Sequence, residues 1–372
     1  MAWPDETLVP MTSRERVLAA LAHQPTDRAP RLLYEEAIGY TPPIARLLND
    51  HCGAVAPRDF FGMDLTSVKC NPSRLPRSRF AEWMGPEAET ALASNQVDEW
   101  GVWWRAGDFH HFAQVESPLR GPLDRQRIRG DPWPDLEQPY RWEGVRERVE
   151  DWHARGFAVA GYAGSVFERS WYLRGLEDLL TDLLVAPELA HEFFERTAAF
   201  QQHAAEQFAR AGVDIVITGD DIAGQQGLLM RLELWREFLK PRLAATARAV
   251  KRIKADAFVF YHSDGNVEAV IPDLIDLGID ILNPVQPECM DPAAIKRRYG
   301  QRLSFWGTVS VQRTMPFGTA DEVLAEVAAR VREVGRGGGL ILAPAHVLGP
   351  ETPWENIAAF FEAADATPVP LA

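Results

Sequence analysis

Cysteine is scarce in this sequence of 372 residues, which has three: Cys52, Cys70 and Cys289. Their odd number and wide spacing argue against a disulfide framework, which pairs cysteines within a short secreted chain. We therefore expect reduced thiols and a cytoplasmic location.

Long apolar runs are missing as well. The longest ones are far shorter than the ~20 residues that a membrane-spanning helix needs. The opening stretch MAWPDETLVPMTSRERVLAALAH has acidic residues and no sustained apolar core, so we do not expect a signal peptide. A membrane is therefore not an expected partner.

Basic residues are in deficit. Lysine and arginine number 39 against 53 aspartate and glutamate residues, for a net charge of −14. No stretch concentrates basic residues with interleaved aromatic ones, so nucleic acid is not an expected partner. With 46% hydrophobic and 25% charged residues, the composition is that of a globular protein. A small-molecule substrate is the expected partner.

Eight short apolar runs alternate with amphipathic helical patterns along the chain. The runs resemble buried strands and span residues 31–35, 64–69, 157–163, 213–220, 257–264, 280–286, 303–310 and 339–346. An opening helix is indicated by Thr12 or Ser13 as its cap and by Val17, Leu18 and Leu21 on one face. Eight strands, each followed by a helix, predict an α/β protein with a (β/α)8 barrel, formed as a single domain by residues 1–372.

The length beyond a minimal barrel lies mostly between the second and third predicted strands, at about residues 71–156. There, VDEWGVWWRAGDFHHFAQV predicts a hairpin with a Gly-Asp turn, and a Pro- and Trp-rich stretch follows. An insertion after a barrel strand is placed to cover the catalytic face, so we predict a lid. Its tryptophans favour packing over a wall for a planar substrate.

Catalytic groups of such a barrel gather where the strands end. His262 and Asp264 lie two residues apart in an extended segment, so their side chains point to the same side. Together with His346, after the last strand, they form a candidate site for zinc or another divalent cation with an open position. The alternative, which spacing alone favours, is that Asp264 caps the next helix and His262 bonds to a neighbouring strand.

Two adjacent carboxylates, Asp220 and Asp221, follow the fourth predicted strand. Neighbouring carboxylates raise each other's pKa, which suits proton transfer. The equally weighted alternative is that Asp221 caps a helix and a backbone amide holds Asp220. The other strand ends contribute Tyr162, Gln286, Gln312 and the less favoured ligand Cys289.

Several segments together resemble the uroporphyrinogen decarboxylase superfamily. They are TSRERVLAALAHQPTDRAP, VDEWGVWW, GDDIAGQQG, YHSDGN, GIDILNPVQP, FWGTVSVQRTMPFGT and GGGLILAPAHVLGPETPWENIAAFFEA, from about Met11 to Ala364. The resemblance implies a (β/α)8 barrel. True uroporphyrinogen decarboxylases carry an arginine-rich RQAGR-type segment after the first strand, whereas this chain has RLLYEEAIGY there. Glu35 and Glu36 would repel an octa-anionic tetrapyrrole, so that activity is not expected.

The resemblance is closer to the branch of methyltransferases that act with a corrinoid (cobalamin-type) cofactor. These hold zinc with an H-x-C pair and a distant cysteine, and the matching positions here are His262, Asp264 and His346. Replacing thiolates by a carboxylate and a histidine leaves a harder, more Lewis-acidic metal. This implies transfer of a methyl group between a small O- or N-methylated substrate and a corrinoid on a partner protein, as in a demethylase.

The remaining candidates take supporting roles in that interpretation. Asp220, Asp221 or Tyr162 would position the substrate or shuttle a proton, and the expected substrate-binding residues are Glu35, Glu36, Gln286 and Gln312. Two alternatives stay open: a cofactor-free decarboxylase of a small carboxylate, with His346 or Asp220 as the acid, and a ligand-binding barrel without activity.

Overall fold

The computed structural model describes residues 10–33, 40–106, 113–130 and 132–371, and within them the chain has an α/β fold around a curled parallel sheet. The seven strands of the sheet are β1 (Leu65–Val68), β2 (Ala158–Gly164), β3 (Ile215–Gly219), β4 (Phe258–His262), β5 (Ile281–Asn283), β6 (Ser304–Val309) and β7 (Leu340–Pro344). Each strand pairs in parallel with the next one along the chain. Seven of the predicted runs are therefore confirmed as strands.

The first predicted run, residues 31–35, was wrong as a strand within its described part. Arg31 forms an isolated parallel bridge with Leu342 of β7, and its carbonyl accepts a hydrogen bond from the Asp64 amide at 3.0 Å. The preceding Pro30 has no N–H to donate, which prevents the ladder from extending toward the N-terminus. Backbone hydrogen bonds nevertheless connect this segment to β7 on one side and to the residue before β1 on the other.

Helices connect the strands and cover the sheet. The α-helices are Ser13–Leu21, Pro42–Cys52, Pro57–Phe61, Ala81–Met84, Ala88–Ala93, Arg125–Gly130, Val145–Ala154, Phe167–Arg174, Leu176–Val185, Pro187–Ala211, Leu232–Phe238, Lys240–Ile253, Ile271–Asp276, Pro292–Tyr299, Thr314–Phe317, Ala320–Glu333 and Trp354–Ala366. Short 3₁₀ helices lie at Arg77–Phe80, Gly85–Glu87, Pro139–Arg141 and Glu268–Val270. None of the described helices is long and apolar enough to cross a membrane.

The opening helix forms as its sequence predicts. Thr12 caps it, and Glu15 completes a capping box by accepting a hydrogen bond from the Thr12 amide. Val17 and Leu21 are buried in the core. The helix is tied to the sheet through the buried Asp64 carboxylate, which accepts a hydrogen bond from Arg16 at 2.5 Å.

The core lies between the sheet and its helices. Every residue of β3 is buried, as expected for a strand covered on both faces. The long helix Pro187–Ala211 contributes Phe193, Phe194 and Phe208 to this core.

The predicted hairpin in the insertion is confirmed. Trp103–Ala106 pairs antiparallel with Ala113–Glu116, while its predicted Gly-Asp turn lies outside the described residues. Phe80, Ala91, Val97 and Trp103 form a small satellite core at its base. The covering role of this insertion stays a prediction.

Candidate metal site at the carboxyl ends of the strands

The candidate side chains project from the carboxyl ends of neighbouring strands. Asp220 and Asp221 follow β3, His262 is the last residue of β4, Asp264 comes two residues later, and His346 comes two residues after β7. Because all strands are parallel, these ends meet at one edge of the sheet.

Asp221, His262 and Asp264 form the most compact group. His262 Nε2 lies 3.3 Å from Asp221 Oδ1 and 3.9 Å from Asp264 Oδ1. One potential ligand atom from each of the three residues lies within 4.8 Å of the others. Spacings of this size allow a single cation to bring the three atoms into its coordination shell with small side-chain movements.

His346 adjoins this group on the far side of Asp264. Its Nε2 lies 3.7 Å from Asp264 Oδ2, and the His262 and His346 rings are 6.4 Å apart between centroids. The structure thus brings together all three residues of the predicted metal site and adds Asp221 to them, so that Asp264 stands between the two histidines.

One carboxylate oxygen of Asp264 is suited to bind a cation. Asp264 Oδ1 is buried and has no hydrogen-bond partner among the described residues. A buried carboxylate oxygen left unpaired is costly, and such groups in native proteins are commonly explained by an ion or a water. The donor set of two carboxylates and imidazole nitrogens is one that zinc accepts.

His262 is oriented by a residue that the sequence analysis did not single out. Asn283 Oδ1, at the end of β5, lies 2.5 Å from His262 Nδ1. The Asn283 amide nitrogen donates to the Trp306 carbonyl at 2.7 Å, which fixes the oxygen toward the imidazole. His262 Nδ1 therefore donates, and its Nε2 faces the carboxylates, the usual arrangement behind a metal-binding histidine. The sequence signal that could have indicated Asn283 is a polar residue at the end of an apolar strand.

The Asp264 side chain does not act as a helix cap. The first amide of the following 3₁₀ helix, that of Glu268, donates to Asn266 Oδ1 at 3.2 Å and not to Asp264. The Asp264 amide itself donates to Asp221 Oδ1 at 2.9 Å. Gly265 continues the turn at a φ of 83°, where a Cβ atom would lie 2.6 Å from the Ala223 carbonyl oxygen. A glycine is needed there because the turn is both left-handed and tightly packed.

The ionisation of the group follows from its burial and its charges. Burial by itself would raise the pKa of Asp221, but the hydrogen bond and charge of His262 outweigh it and lower that pKa to about 2. Burial opposes the protonated form of His262, yet Asp221 raises the pKa of His262 well above its usual range. The pKa of Asp264 is raised by burial in spite of the two histidines. Without a metal, His262 and Asp221 form an ion pair.

Glu168 and Tyr172 extend the site and were also missed from the sequence. The Tyr172 hydroxyl donates to Glu168 Oε1. Burial and then the negative charge of Asp221 raise the pKa of Glu168. Both residues belong to helix Phe167–Arg174, whose pattern showed no polar signal that distinguished them from surface positions.

Asp220 is buried behind the group. Its Oδ1 accepts a hydrogen bond from the Glu168 amide at 3.0 Å, at the first turn of helix Phe167–Arg174. Burial raises the pKa of Asp220 well above its usual value. Of the two interpretations of Asp220, this contact is the one that the packing alternative predicted. A catalytic role for Asp220 stays a prediction.

The predicted substrate-binding residues have different surroundings. Gln286 Oε1 accepts a hydrogen bond from the Gly265 backbone amide at 2.7 Å, so Gln286 supports the turn after Asp264. Gln312 accepts a hydrogen bond from the Gln225 side-chain amide at 3.2 Å. Gln286 and Gln312 both line a cavity of about 560 Å³ that includes Asp221, Asp264 and His346. Glu35 and Glu36 lie outside the described residues.

Two further candidates lie outside the compact group. Tyr162 lines a different cavity, between β2, helix Pro187–Ala211 and the insertion. Cys289 is half-buried, and its thiol contacts Gln286 Oε1 at 3.5 Å. Neither residue belongs to the compact group that Asp221, His262 and Asp264 form.

The fold and this group of residues define an α/β protein with a candidate metal site at the carboxyl edge of a parallel sheet. Residues 111–367, more than half of the chain, match the family described as uroporphyrinogen decarboxylase (URO-D). The chain belongs to this family, as the resemblance predicted.

Named relatives in the family are enzymes of two kinds. The methylcobamide:CoM methyltransferase MtaA of Methanosarcina barkeri is 30% identical over 178 residues, which cover 47% of this chain and 49% of that protein. The chain thus matches about half the length of this relative. The uroporphyrinogen decarboxylase of Anaeromyxobacter sp. (strain Fw109-5) is 26% identical over 372 residues, covering 94% and 98% of the two chains.

A solved structure shows the same fold. A methyltransferase from Methanosarcina mazei has a TM-score of 0.64 at 22% identity, covering 95% of this chain and 98% of that one. This likeness shows the fold of the chain and leaves its reaction undetermined.

Proposed function

We propose that this protein is a metal-dependent methyltransferase that moves a methyl group between a small O- or N-methylated substrate and a corrinoid carried by a partner protein. The observation that carries the proposal is the buried Asp264 Oδ1, which has no hydrogen-bond partner among the described residues and lies beside Asp221 and His262. A site arranged to bind a cation is what a Lewis-acid methyl transfer needs and what a cofactor-free decarboxylation does not need.

Asp221, His262 and Asp264 would hold the cation, with His346 as a further ligand from the opposite side of Asp264. A zinc ion bound there would polarise the heteroatom that carries the methyl group. Asn283 keeps His262 Nε2 directed at the site.

The protein's own groups would manage the proton of the departing heteroatom. Burial and the negative charge of Asp221 raise the pKa of Glu168, which favours the protonated form of its carboxyl group. We assign Glu168 the role of donating this proton, with Tyr172 holding its carboxyl group in place. Asp220 anchors the first turn of the helix that carries both residues.

The charge of the adjoining cavity supports methyl transfer over decarboxylation of a polycarboxylate. Asp221, Asp264 and Glu351 line it, and none of its described lining residues is lysine or arginine. Such a surface favours a neutral or cationic methylated substrate. In our proposal Glu35 and Glu36 strengthen this preference, while Gln286 and Gln312 contact the substrate.

We further propose that the segment at Arg31 completes an eight-stranded (β/α)8 barrel, because it bonds to β7 and to the residue before β1. Residues 1–372 would then form one domain, with residues 71–156 as a lid over the strand ends. The pairing of β1 with β2, on either side of the insertion, supports a single domain.

A decarboxylase of a small carboxylate is the second candidate. It is favoured by the relatives named uroporphyrinogen decarboxylase that match over nearly the full length. His346 or Asp220 would act as its acid.

Metal analysis combined with turnover separates the two functions. The purified protein would be analysed for metal and tested for methyl transfer from methoxylated and N-methylated compounds to cob(I)alamin. We expect about one zinc per chain and a transfer that stops on chelation and returns with zinc. A metal-free protein that decarboxylates a small carboxylate at an unchanged rate in chelator would refute the proposal and establish the second candidate.

A further inference from the structure

A second cavity lies apart from the metal site, between the carboxyl end of β2, helix Pro187–Ala211 and the insertion. Its volume is about 520 Å³, within the range of small-molecule sites. It shares none of its described lining residues with the cavity at Asp264 and His346. The function proposed above does not use it.

Its walls are largely aromatic. Trp100 and Phe200 meet edge to face with their ring centroids 5.1 Å apart, and Trp142 packs in the same way on Phe208 at 5.2 Å. Tyr162 completes this lining at the end of β2. Such walls fit a flat apolar body.

The lining is positively charged although the protein is acidic. Its cationic residues are Lys69, Arg77, Arg141 and Arg169, and its carboxylates are Asp98 and Glu99. Both carboxylates are already paired, because Arg169 binds Asp98 at 3.2 Å and Arg141 binds Glu99 at 2.9 Å. The lining therefore has a surplus of positive charge.

Arg77 contributes to this positive charge, and its buried guanidinium indicates a ligand. Its Nη1 is buried and has no hydrogen-bond partner among the described residues. Arg79, two residues along the same 3₁₀ helix, likewise has a buried Nε and Nη1 without partners there. Guanidinium groups in a water-poor wall bind carboxylates strongly, because the fork of donors matches the two oxygens.

From these observations we propose that the cavity is a binding site for a small aromatic carboxylate. The carboxylate would pair with Arg77, and the ring would lie against Trp100 and Phe200. Arg169, whose guanidinium is 4.7 Å from the Trp100 ring centroid, holds that wall in place. The inference does not depend on the metal site.

Calorimetric titration of the full-length protein with benzoate tests the proposal. We expect saturable binding to the wild type and, for Arg77→Gln, binding weakened by roughly tenfold or more, since a buried charge-assisted pair is lost. Ala204→Phe would abolish binding by filling the cavity, because Ala204 is a buried residue of its lining. Benzamide, which has the ring without the charge, should bind weakly.

Arg74→Gln is the matched control. Arg74 lies in the same segment but stacks over the Tyr140 ring at 4.2 Å and is not part of the described lining. Its substitution should leave benzoate binding unchanged, and circular dichroism would verify that each variant is folded. Absence of benzoate binding at millimolar concentration, or binding weakened by Asp264→Ala and not by Arg77→Gln or Ala204→Phe, would overturn the proposal. The metal content of Arg77→Gln should equal that of the wild type, which separates this result from a failure of the proposed enzyme function.

Discussion

At the residue scale, Asp264 lies between His262 and His346 in the candidate site. Its Oδ1 faces His262 and its Oδ2 faces His346, at 3.9 and 3.7 Å. The neighbouring Asp221 approaches His262 more closely, at 3.3 Å. This geometry allows the contribution of each ligand to be tested separately.

The first prediction concerns the ligand set. Asp264→Ala should lose bound zinc, because it removes the residue shared by both histidines. His346→Ala should bind zinc more weakly but still detectably, since Asp221, His262 and Asp264 remain as a compact group. Elemental analysis after dialysis measures both. Gln312→Ala, at the rim of the same cavity, is the control and should keep its metal. Full zinc occupancy in Asp264→Ala would contradict this ligand set.

The second prediction concerns the positioning of His262. Asn283→Leu removes the hydrogen bond to His262 Nδ1 and should lower metal affinity by roughly 10- to 100-fold, the usual effect of losing an outer partner of a ligand. Zinc titration against a competing chelator measures this change. Asn283→Asp, which keeps an acceptor at this position, should retain more affinity than Asn283→Leu. Equal affinity in wild type and Asn283→Leu would show that Asn283 has no such role.

The third prediction concerns pH and the metal-free protein. The pKa of His262 is raised in the folded state, so its stabilisation is complete below the ordinary value of 6.5 and is lost as the pH rises through the folded value. The pKa of Asp221 is lowered to about 2, so its stabilisation is complete above the ordinary value of 3.8 and is lost as the pH falls toward 2. The two contributions are therefore complete together between these ordinary values.

His262→Gln should accordingly destabilise the chelated protein most between pH 3.8 and 6.5 and progressively less on either side. Urea unfolding across this pH range, with chelator present throughout, measures the difference in free energy of unfolding from wild type. A difference that stays constant with pH would mean that His262 and Asp221 are not an ion pair.

At the scale of elements, a buried carboxylate ties the opening helix and its following loop to the sheet. Asp64 precedes β1 and binds Arg16 of the helix at 2.5 Å and Arg28 of the loop at 2.6 Å. It also accepts a hydrogen bond from the Arg31 amide at 2.9 Å, in the segment that bridges to β7. One side chain thus joins elements that are distant along the chain.

The fourth prediction follows from this contact. Asp64→Ala should lower the free energy of unfolding by about 3 kcal/mol, because it leaves the buried Arg16 Nη1 and the Arg31 backbone amide without their acceptor, while Arg16 keeps its pair with Asp27. Urea denaturation measures the loss. Asp59→Ala, at a nearby exposed position in helix Pro57–Phe61, should change stability by less than about 0.5 kcal/mol. A similar effect of both substitutions would contradict the structural role of Asp64.

At the scale of the whole molecule, strands from both sides of the insertion form one sheet. Leu65 of β1 pairs with Ala158 of β2, although some 90 residues separate them in the sequence. Because the first strand of the sheet lies before the insertion and the other six lie after it, we expect the two sides to fold together.

The fifth prediction is that the metal-free protein unfolds in a single cooperative transition. Differential scanning calorimetry should give a calorimetric enthalpy equal to the van't Hoff enthalpy. Two resolved transitions would indicate that the insertion or one part of the sheet folds as an independent domain.

Strong local patterns made much of this fold predictable. Seven apolar runs became strands because a parallel strand buried on both faces must be apolar along its length. The capping box at Thr12 and Glu15 fixed the start of the opening helix through contacts three residues apart. Within its described residues the run beginning at Arg31 forms only an isolated bridge, because apolar character alone does not decide whether a segment pairs along its length.

The candidate site was predictable in part for the same reason. The two-residue spacing of His262 and Asp264 made them joint candidates, although spacing alone favoured Asp264 as a helix cap, and the tertiary structure brings the two side chains together. Asn283, Glu168 and Tyr172 come from other elements, and no local pattern marks them as neighbours of His262 or Asp221. The surplus charge of Arg77 likewise becomes visible only once its lining neighbours are known.

The sequence by itself determined the order of strands and helices, the hairpin, the family and the position of the candidate residues at the strand ends, because each depends on short-range patterns or on resemblance along the chain. Only the tertiary structure decided that Asp221 joins His262 and Asp264, that Asp220 supports a helix, and that Tyr162 faces a separate cavity. The direction of a side chain at the end of a strand depends on packing against elements far away in the sequence, and its burial and neighbouring charges together then set its pKa.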